Sequence, residues 1–284
     1  MLNTAQCKTD PPGNIAVNAV HAGAGNPVIL IHGLAASLHD WDDLLPALAR
    51  DGYSAYALDL LGHGESLKPT DLDDYNEDAV FGHLKGWVDS LKLDDSAVLV
   101  GHSLGGYFCL RFAMQFPERV RALVLVNPFY AQAQLPLTLR LVFKRPLLNT
   151  SVIERTPYWL FRILVDLSSL QFGGSSNGSH ALPERVRQQT ALDYKRAAPG
   201  IYNIPRTLPD LLPDYSQLTQ PALVVWGARD QTLDTRSFSG LVASLPNARA
   251  KVLHNCGHVP HQCHAASFNR IVLGFLKTLG EHPD

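Results

Sequence analysis

Short apolar runs alternate along the chain with stretches whose apolar residues recur at helical spacing. Pro27-Val-Ile-Leu-Ile-His32, Tyr53-Ser-Ala-Tyr-Ala-Leu-Asp59, Ser96-Ala-Val-Leu-Val-Gly101, Ala122-Leu-Val-Leu-Val-Asn127, Ala222-Leu-Val-Val-Trp-Gly227 and Ala250-Lys-Val-Leu253 read as strands. Runs of this kind suit strands buried on both faces of a parallel sheet. Between them, Asp40–Arg50, Ala79–Leu91, Gly105–Phe116 and Thr235–Leu245 read as helices. Ser267–Leu279 closes the chain with Phe268, Ile271, Val272 and Phe275 at helical spacing. Strand, helix, strand, repeated, predicts an α/β fold, a mostly parallel sheet flanked by helices.

The alternation stops after Asn127. From Pro128 to Ser216 no strand is evident, aromatic residues are frequent, Gly173–Ser179 is a flexible interruption, and Pro199, Pro205, Pro209 and Pro213 punctuate the end. We read three parts: residues 1–127 and 217–284 as two portions of one core, and 128–216 as an inserted helical cap.

Composition narrows the function classes. The chain has 284 residues, with 46% hydrophobic and 18% charged residues and a formal net charge of −2. That balance excludes a strongly basic nucleic-acid binder and gives no reason for attachment to anionic lipid. Met1–Asp10 is polar and lacks a signal-peptide pattern, and no stretch reads as a membrane span. Cys7, Cys109, Cys256 and Cys263 show no CxxC spacing, so a disulfide framework is not expected and a reducing, cytoplasmic setting fits. No phosphate-binding glycine loop is present.

Val100-Gly-His-Ser-Leu-Gly-Gly106 carries the chemistry. It contains G-x-S-x-G between a buried strand and a helix. A serine hydroxyl is a weak nucleophile and must be exposed to a base near the substrate carbonyl. A sharp strand-to-helix turn lifts Ser103 above the sheet edge, glycines on either side remove clashing Cβ atoms, and the helix N-terminus offers free N–H groups.

With Ile31-His-Gly-Leu34, Asp59-Leu-Leu-Gly-His-Gly-Glu-Ser66, Trp226-Gly-Ala-Arg-Asp230 and Cys256-Gly-His258, this segment resembles the α/β-hydrolase superfamily over nearly the whole chain. The resemblance implies the α/β-hydrolase fold and a triad in the order Ser103, Asp230, His258. Asp230 would hold one imidazole nitrogen of His258, and His258 would take and return the serine proton. The backbone N–H groups of Leu34 and Leu104 would form the oxyanion hole. Asp234 reads better as a helix N-cap than as the acid. Asn127, where some relatives carry the acid, cannot supply the charge. His32 reads as structural, His63 as part of a turn, and His102 as pointing away from the nucleophile. Trp41 could wall the pocket or pack in the core, and Asp59–Ser66 would shape the fold and the pocket floor.

His254, Cys256, His258, His261, Cys263 and His264 crowd one short stretch, but their spacing matches no common zinc module, so no metal is expected. No cofactor is required. The expected activity is hydrolysis of small-to-medium, largely apolar esters through an acyl-enzyme, with a small-molecule substrate bound beneath the cap. The serine disfavours relatives of this fold that use an aspartate nucleophile, the haloalkane dehalogenases and epoxide hydrolases. Alternatives are C–C bond hydrolysis of ring-fission diketones, which the sequence also resembles, and a ligand receptor that keeps the triad. A purely structural module would have no pocket. Oligomeric state is left open.

Overall fold

The structure, a computed structural model, describes residues 5–6, 16–144, 154–169, 182–211 and 215–280. The strands are β1 (Ala5–Gln6), β2 (Ala19–Ala22), β3 (Pro27–Ile31), β4 (Ser54–Leu58), β5 (Ala97–His102), β6 (Val120–Val126), β7 (Ala222–Gly227) and β8 (Ala248–Leu253). They form one sheet in the order β1-β2-β4-β3-β5-β6-β7-β8. Pairings from β4 to β8 are parallel, whereas β1–β2 and β2–β4 are antiparallel. The six strands predicted from apolar runs are β3 to β8.

Strand periodicity explains why both faces are dry. Along β5 and β6, Leu99, Leu123 and Leu125 join one core cluster, while Val98, Val100, Ala122, Val124 and Val126 join the other. The first cluster is completed by α2 (Glu77–Ser90), α3 (Leu104–Gln115) and, later in the chain, Phe238 and Leu241. The second is completed by α1 (Leu45–Arg50) and by Phe268, Val272, Phe275 and Leu276. Side chains that alternate across the pleat therefore need a helical layer on each side.

The helix predicted from Asp40 begins later. A 3-10 turn covers Leu38–Trp41, and α1 starts at Leu45 with Pro46 in its first turn, where the missing N–H costs nothing. Between β6 and β7 only helical elements occur among the described residues: α4 (Leu137–Lys144), α5 (Tyr158–Ser169), α6 (Glu184–Arg196), α7 (Ile204–Thr207) and short 3-10 turns. Phe161 and Val165 of α5 and Ala191 of α6 form a small core of their own. Helix α6 is tied to the sheet-bearing part by Ser37 Oγ donating to Asp193 Oδ1 at 2.9 Å and by Arg185 Nη2 against Asp43 Oδ2 at 2.7 Å. The predicted interruption at Gly173–Ser179 lies outside the described residues. The chain ends with α8 (Thr235–Ser244), α9 (Pro260–Cys263) and α10 (Ala265–Thr278). No helix among the described residues is long and apolar enough to cross a membrane.

Candidate functional site

Ser103 stands at the sharp turn between β5 and α3, with φ 49° and ψ −111°. Few L-residues adopt this backbone, so the surroundings must hold it there. They do so through the main chain. Ser103 N–H donates to Val126 O at 2.9 Å, and Ser103 O accepts from Phe129 N at 3.0 Å and Tyr107 N at 3.2 Å. The flanking glycines are required by close approach. A Cβ on Gly105 would lie 2.1 Å from Ile31 O, and one on Gly101 would lie 2.4 Å from Gly105 O. Helix α3 begins at Leu104, whose N–H has no intrahelical acceptor.

Asp230 follows β7 and His258 follows β8. His258 Nδ1 lies 2.8 Å from Asp230 Oδ2. That carboxylate is further fixed by Asn127 Nδ2 at 2.6 Å on Oδ2, and by the N–H groups of Thr232 at 2.7 Å and Leu233 at 3.1 Å on Oδ1. Burial opposes its ionisation, but His258 and these donors outweigh burial and hold the carboxyl below its ordinary range. Ser103, His258, Leu34 and Leu104 line one cavity of about 240 Å³. Its walls come from Ala35, Phe129, Leu135, Leu233 and Val259, and from Thr190, Asp193, Tyr194, Pro205 and Leu208 of the segment between β6 and β7. A module without a pocket is thereby excluded.

The remaining histidines and acids divide clearly. His32 is buried and structural: its Nδ1 donates to Gly33 O at 2.7 Å, and its Nε2 accepts from Leu60 N at 3.0 Å. Asp234 caps α8, accepting from Arg236 N at 3.0 Å. Trp41 packs in the core and does not line the cavity. Asp59 accepts from Leu38 N, Asn18 Nδ2 and Glu65 N, so it braces loops, and none of residues 59–66 lines the cavity. The expected contribution of Asp59–Ser66 to the pocket floor is corrected accordingly.

His102 directs both ring nitrogens to groups other than Ser103. It lines the cavity, and its Nε2 donates to the backbone O of His258 at 3.0 Å, while Nδ1 faces Asp40 Oδ2 at 3.4 Å. The helix α9 that follows His258 places His261 Nε2 3.8 Å from the same Asp40 oxygen. Burial keeps His102 below its ordinary pKa and pushes His261 down to about 4, outweighing the pull of Asp40. Asp40 is itself mostly buried, which opposes its ionisation, but its neighbours His102 and His261 outweigh that burial and hold its carboxyl well below the ordinary range. The roles of Asn127, Asp40 and Asp193 are not legible in the sequence because their partners lie far along the chain; Ser37 and Asp193, for example, are 156 residues apart.

Two donor groups have ligand atoms within 4.8 Å of one another: Cys256 with Cys263 and His264, and Asp40 with His102 and His261. His258 belongs to neither, since its Nδ1 is committed to Asp230.

Ser103 thus turns at the carboxyl end of β5, and Asp230 and His258 follow β7 and β8. The family profile described as "alpha/beta hydrolase fold" matches residues 26–262, and the chain belongs to this family. It is a hydrolase. It is 28% identical to the 2-hydroxy-6-oxo-6-phenylhexa-2,4-dienoate hydrolase of Burkholderia cepacia, over 93% of this chain and 92% of that protein. Among solved structures it is similar to a bromoperoxidase from Bacillus anthracis, with TM-score 0.77 and 21% identity over 98% of this chain and 100% of that one. A thermophilic esterase from Thermogutta terrifontis gives TM-score 0.73 and 20% identity, covering 98% and 99%.

Proposed function

We propose that the protein is a serine hydrolase that cleaves small-to-medium carboxylic esters through an acyl-enzyme, with Ser103 as nucleophile, His258 as general base and Asp230 as its partner. The observation that carries this reading is the 2.8 Å contact between His258 Nδ1 and Asp230 Oδ2 beside a cavity that Ser103 and His258 share. Because Nδ1 is committed to Asp230, Nε2 is the nitrogen left to receive the serine proton. Ser103 Oγ attacks the acyl carbon, and His258 then returns that proton to the departing alcohol. Water, deprotonated by His258, attacks the acyl-enzyme and releases the acid and the free serine. Leu34 and Leu104 N–H would face the oxyanion, where each donor lost costs about 3 kcal/mol. We read residues 128–216 as a cap: α6 and α7, with Phe129, Leu135 and Leu208, supply much of one wall, and most of these residues are apolar or aromatic, which suits an acyl chain.

A second reading, C–C bond hydrolysis, is favoured by the dienoate hydrolase relative and by one feature of this chain. Arg229 lines a second cavity that shares His258, Val259 and Gln262 with the one holding Ser103, and it could meet a substrate carboxylate there.

Labelling with a fluorophosphonate tests the nucleophile, and turnover of 4-nitrophenyl esters of graded acyl length beside one ring-fission diketone tests the class. Labelling lost in Ser103→Ala, with ester turnover exceeding diketone turnover, is the expected result. Labelling that persists in the variant overturns the assignment of Ser103. Diketone turnover alone moves the protein to the second reading, and binding without turnover makes it a receptor.

A further inference from the structure

The cavity that Ser103 and His258 share is electrically lopsided. Two carboxylic acids, Asp40 and Asp193, line it, and none of its described lining residues is Lys or Arg. Asp193 is 4% exposed and Asp40 8%. On Asp193, both hydrogen bonds, from Ser37 Oγ and Gln189 Nε2, fall on Oδ1 at 2.9 Å, and among the described residues no donor reaches Oδ2. On Asp40, Oδ1 accepts from Gln262 Nε2 at 2.9 Å, while Oδ2 is turned toward His102 Nδ1 at 3.4 Å and His261 Nε2 at 3.8 Å. A carboxylate oxygen in a mostly buried residue that lacks a donor, as Asp193 Oδ2 does, is costly, and a bound cation is one remedy.

We propose that the cavity selects esters that carry a positively charged end group, seated between Asp193, Asp40 and the ring of Tyr194, and turns away esters with a carboxylate at that end. Selection of this kind rests on the ester-hydrolase reading of Ser103 and names its substrate class. Tyr194 lines the same space and adds an aromatic face that attracts ammonium groups. The electrostatics agree. Burial, and then the charge of Asp40, push the Asp193 carboxyl up to about 7, the behaviour of a carboxylate that lacks a counter-ion. Arg229 lines the adjoining cavity, which shares Thr190, Tyr194 and His258 with this one, and gives it the opposite sign, so a substrate with two charged ends has one favoured orientation. An anionic end would meet the Asp40 carboxylate and, as pH rises past about 7, that of Asp193 as well, in a low-dielectric space.

Three 4-nitrophenyl esters of equal acyl length test this: one ending in trimethylammonium, one in the isosteric tert-butyl group and one in carboxylate. The expected order of kcat/KM is cation above neutral by about tenfold or more, with the anion lowest. Added salt should change the two charged esters more than the neutral one. In Asp193→Asn and Asp40→Asn the ratio of cation to neutral should collapse toward one. Equal rates for the cation and its neutral isostere in the unaltered protein overturn the selection, as does a ratio that survives in both variants. The first comparison needs no variant to fold. If the ester-hydrolase reading fails, all three esters are inert or are cleaved equally well by Ser103→Ala. Calorimetric binding of the matching N-methyl amides to Ser103→Ala then reads the same order of affinities without turnover. Equal affinities there overturn the selection by themselves.

Discussion

Asn127 donates its side-chain amide to Asp230 Oδ2 at 2.6 Å, the same oxygen that contacts His258 Nδ1. Its own Oδ1 accepts from Gly227 N at 3.3 Å, so the amide is held from both ends, and its backbone sits at φ 41°. An amide where an acid could have stood thus works as a brace for the carboxylate in the loop after the neighbouring strand. Asn127→Ala should leave the fold assembled and lower kcat by about 10- to 100-fold, the loss expected for one hydrogen bond to a charged group. KM should change little, because Asn127 does not line the cavity. Steady-state kinetics check this, and an unchanged kcat would show that Asp230 needs no such support.

Asp230 and Asp234 are four positions apart and should behave oppositely. Asp230→Asn keeps the shape but removes the charge that stabilises imidazolium, so kcat should fall by on the order of 10⁴. Asp234→Ala removes the cap of α8 and should cost about 1 kcal/mol of stability with hydrolysis unaltered. Ester turnover and thermal melting of the two variants separate the roles; equal losses of activity would make Asp234 the acid.

The parallel sheet and the residues at its carboxyl edge were legible because each has a local signature. Apolar runs marked β3 to β8, and glycines around Ser103 marked the turn. β2, Ala19–Ala22, was not foreseen: it is short, carries His21, and gains its form from antiparallel pairing with β4. The site's polar shell was invisible for a similar reason. Asp193 sits on a charged helix, and nothing near it in the chain indicates that Ser37 and Asp40 will meet it. Residues whose surroundings are made by chain neighbours can be read from sequence, and those whose surroundings are made by packing cannot.

Two glycines give a sharp contrast in tolerance. Gly105→Ala would drive a Cβ to 2.1 Å from Ile31 O, where strand backbone cannot move aside. It should destabilise the protein by about 3 kcal/mol or more and displace Ser103. Gly240 lies inside α8 with nothing within 4 Å of its ideal Cβ. Gly240→Ala should therefore stabilise by about 0.5–1 kcal/mol, from helix propensity and a less flexible unfolded chain. Denaturant melts of both variants check the pair. A mild effect at Gly105 would mean that α3 can back away from β3.

The buried carboxyl of Asp193 should also make stability depend on pH. Its folded-state pKa, raised from 3.8 to about 7 by burial and by Asp40, means that the folded protein holds this proton more tightly than the unfolded chain. Between those two values the unfolded state ionises first, so stability falls as pH rises from about 4 to about 7 and then levels off. Asp193→Asn keeps an acceptor for Ser37 and Gln189 and removes the ionisation. Its melting temperature relative to the unaltered protein should climb across this window, by an amount corresponding to a few kcal/mol at most, and stay constant above it. Below pH 4 the two proteins should differ little, because both side chains are then neutral. Melting curves taken at pH steps from 4 to 8 decide the matter. A difference that does not vary with pH would mean that Asp193 ionises in the folded protein as it does in the unfolded chain, and that the cavity already supplies its counter-charge.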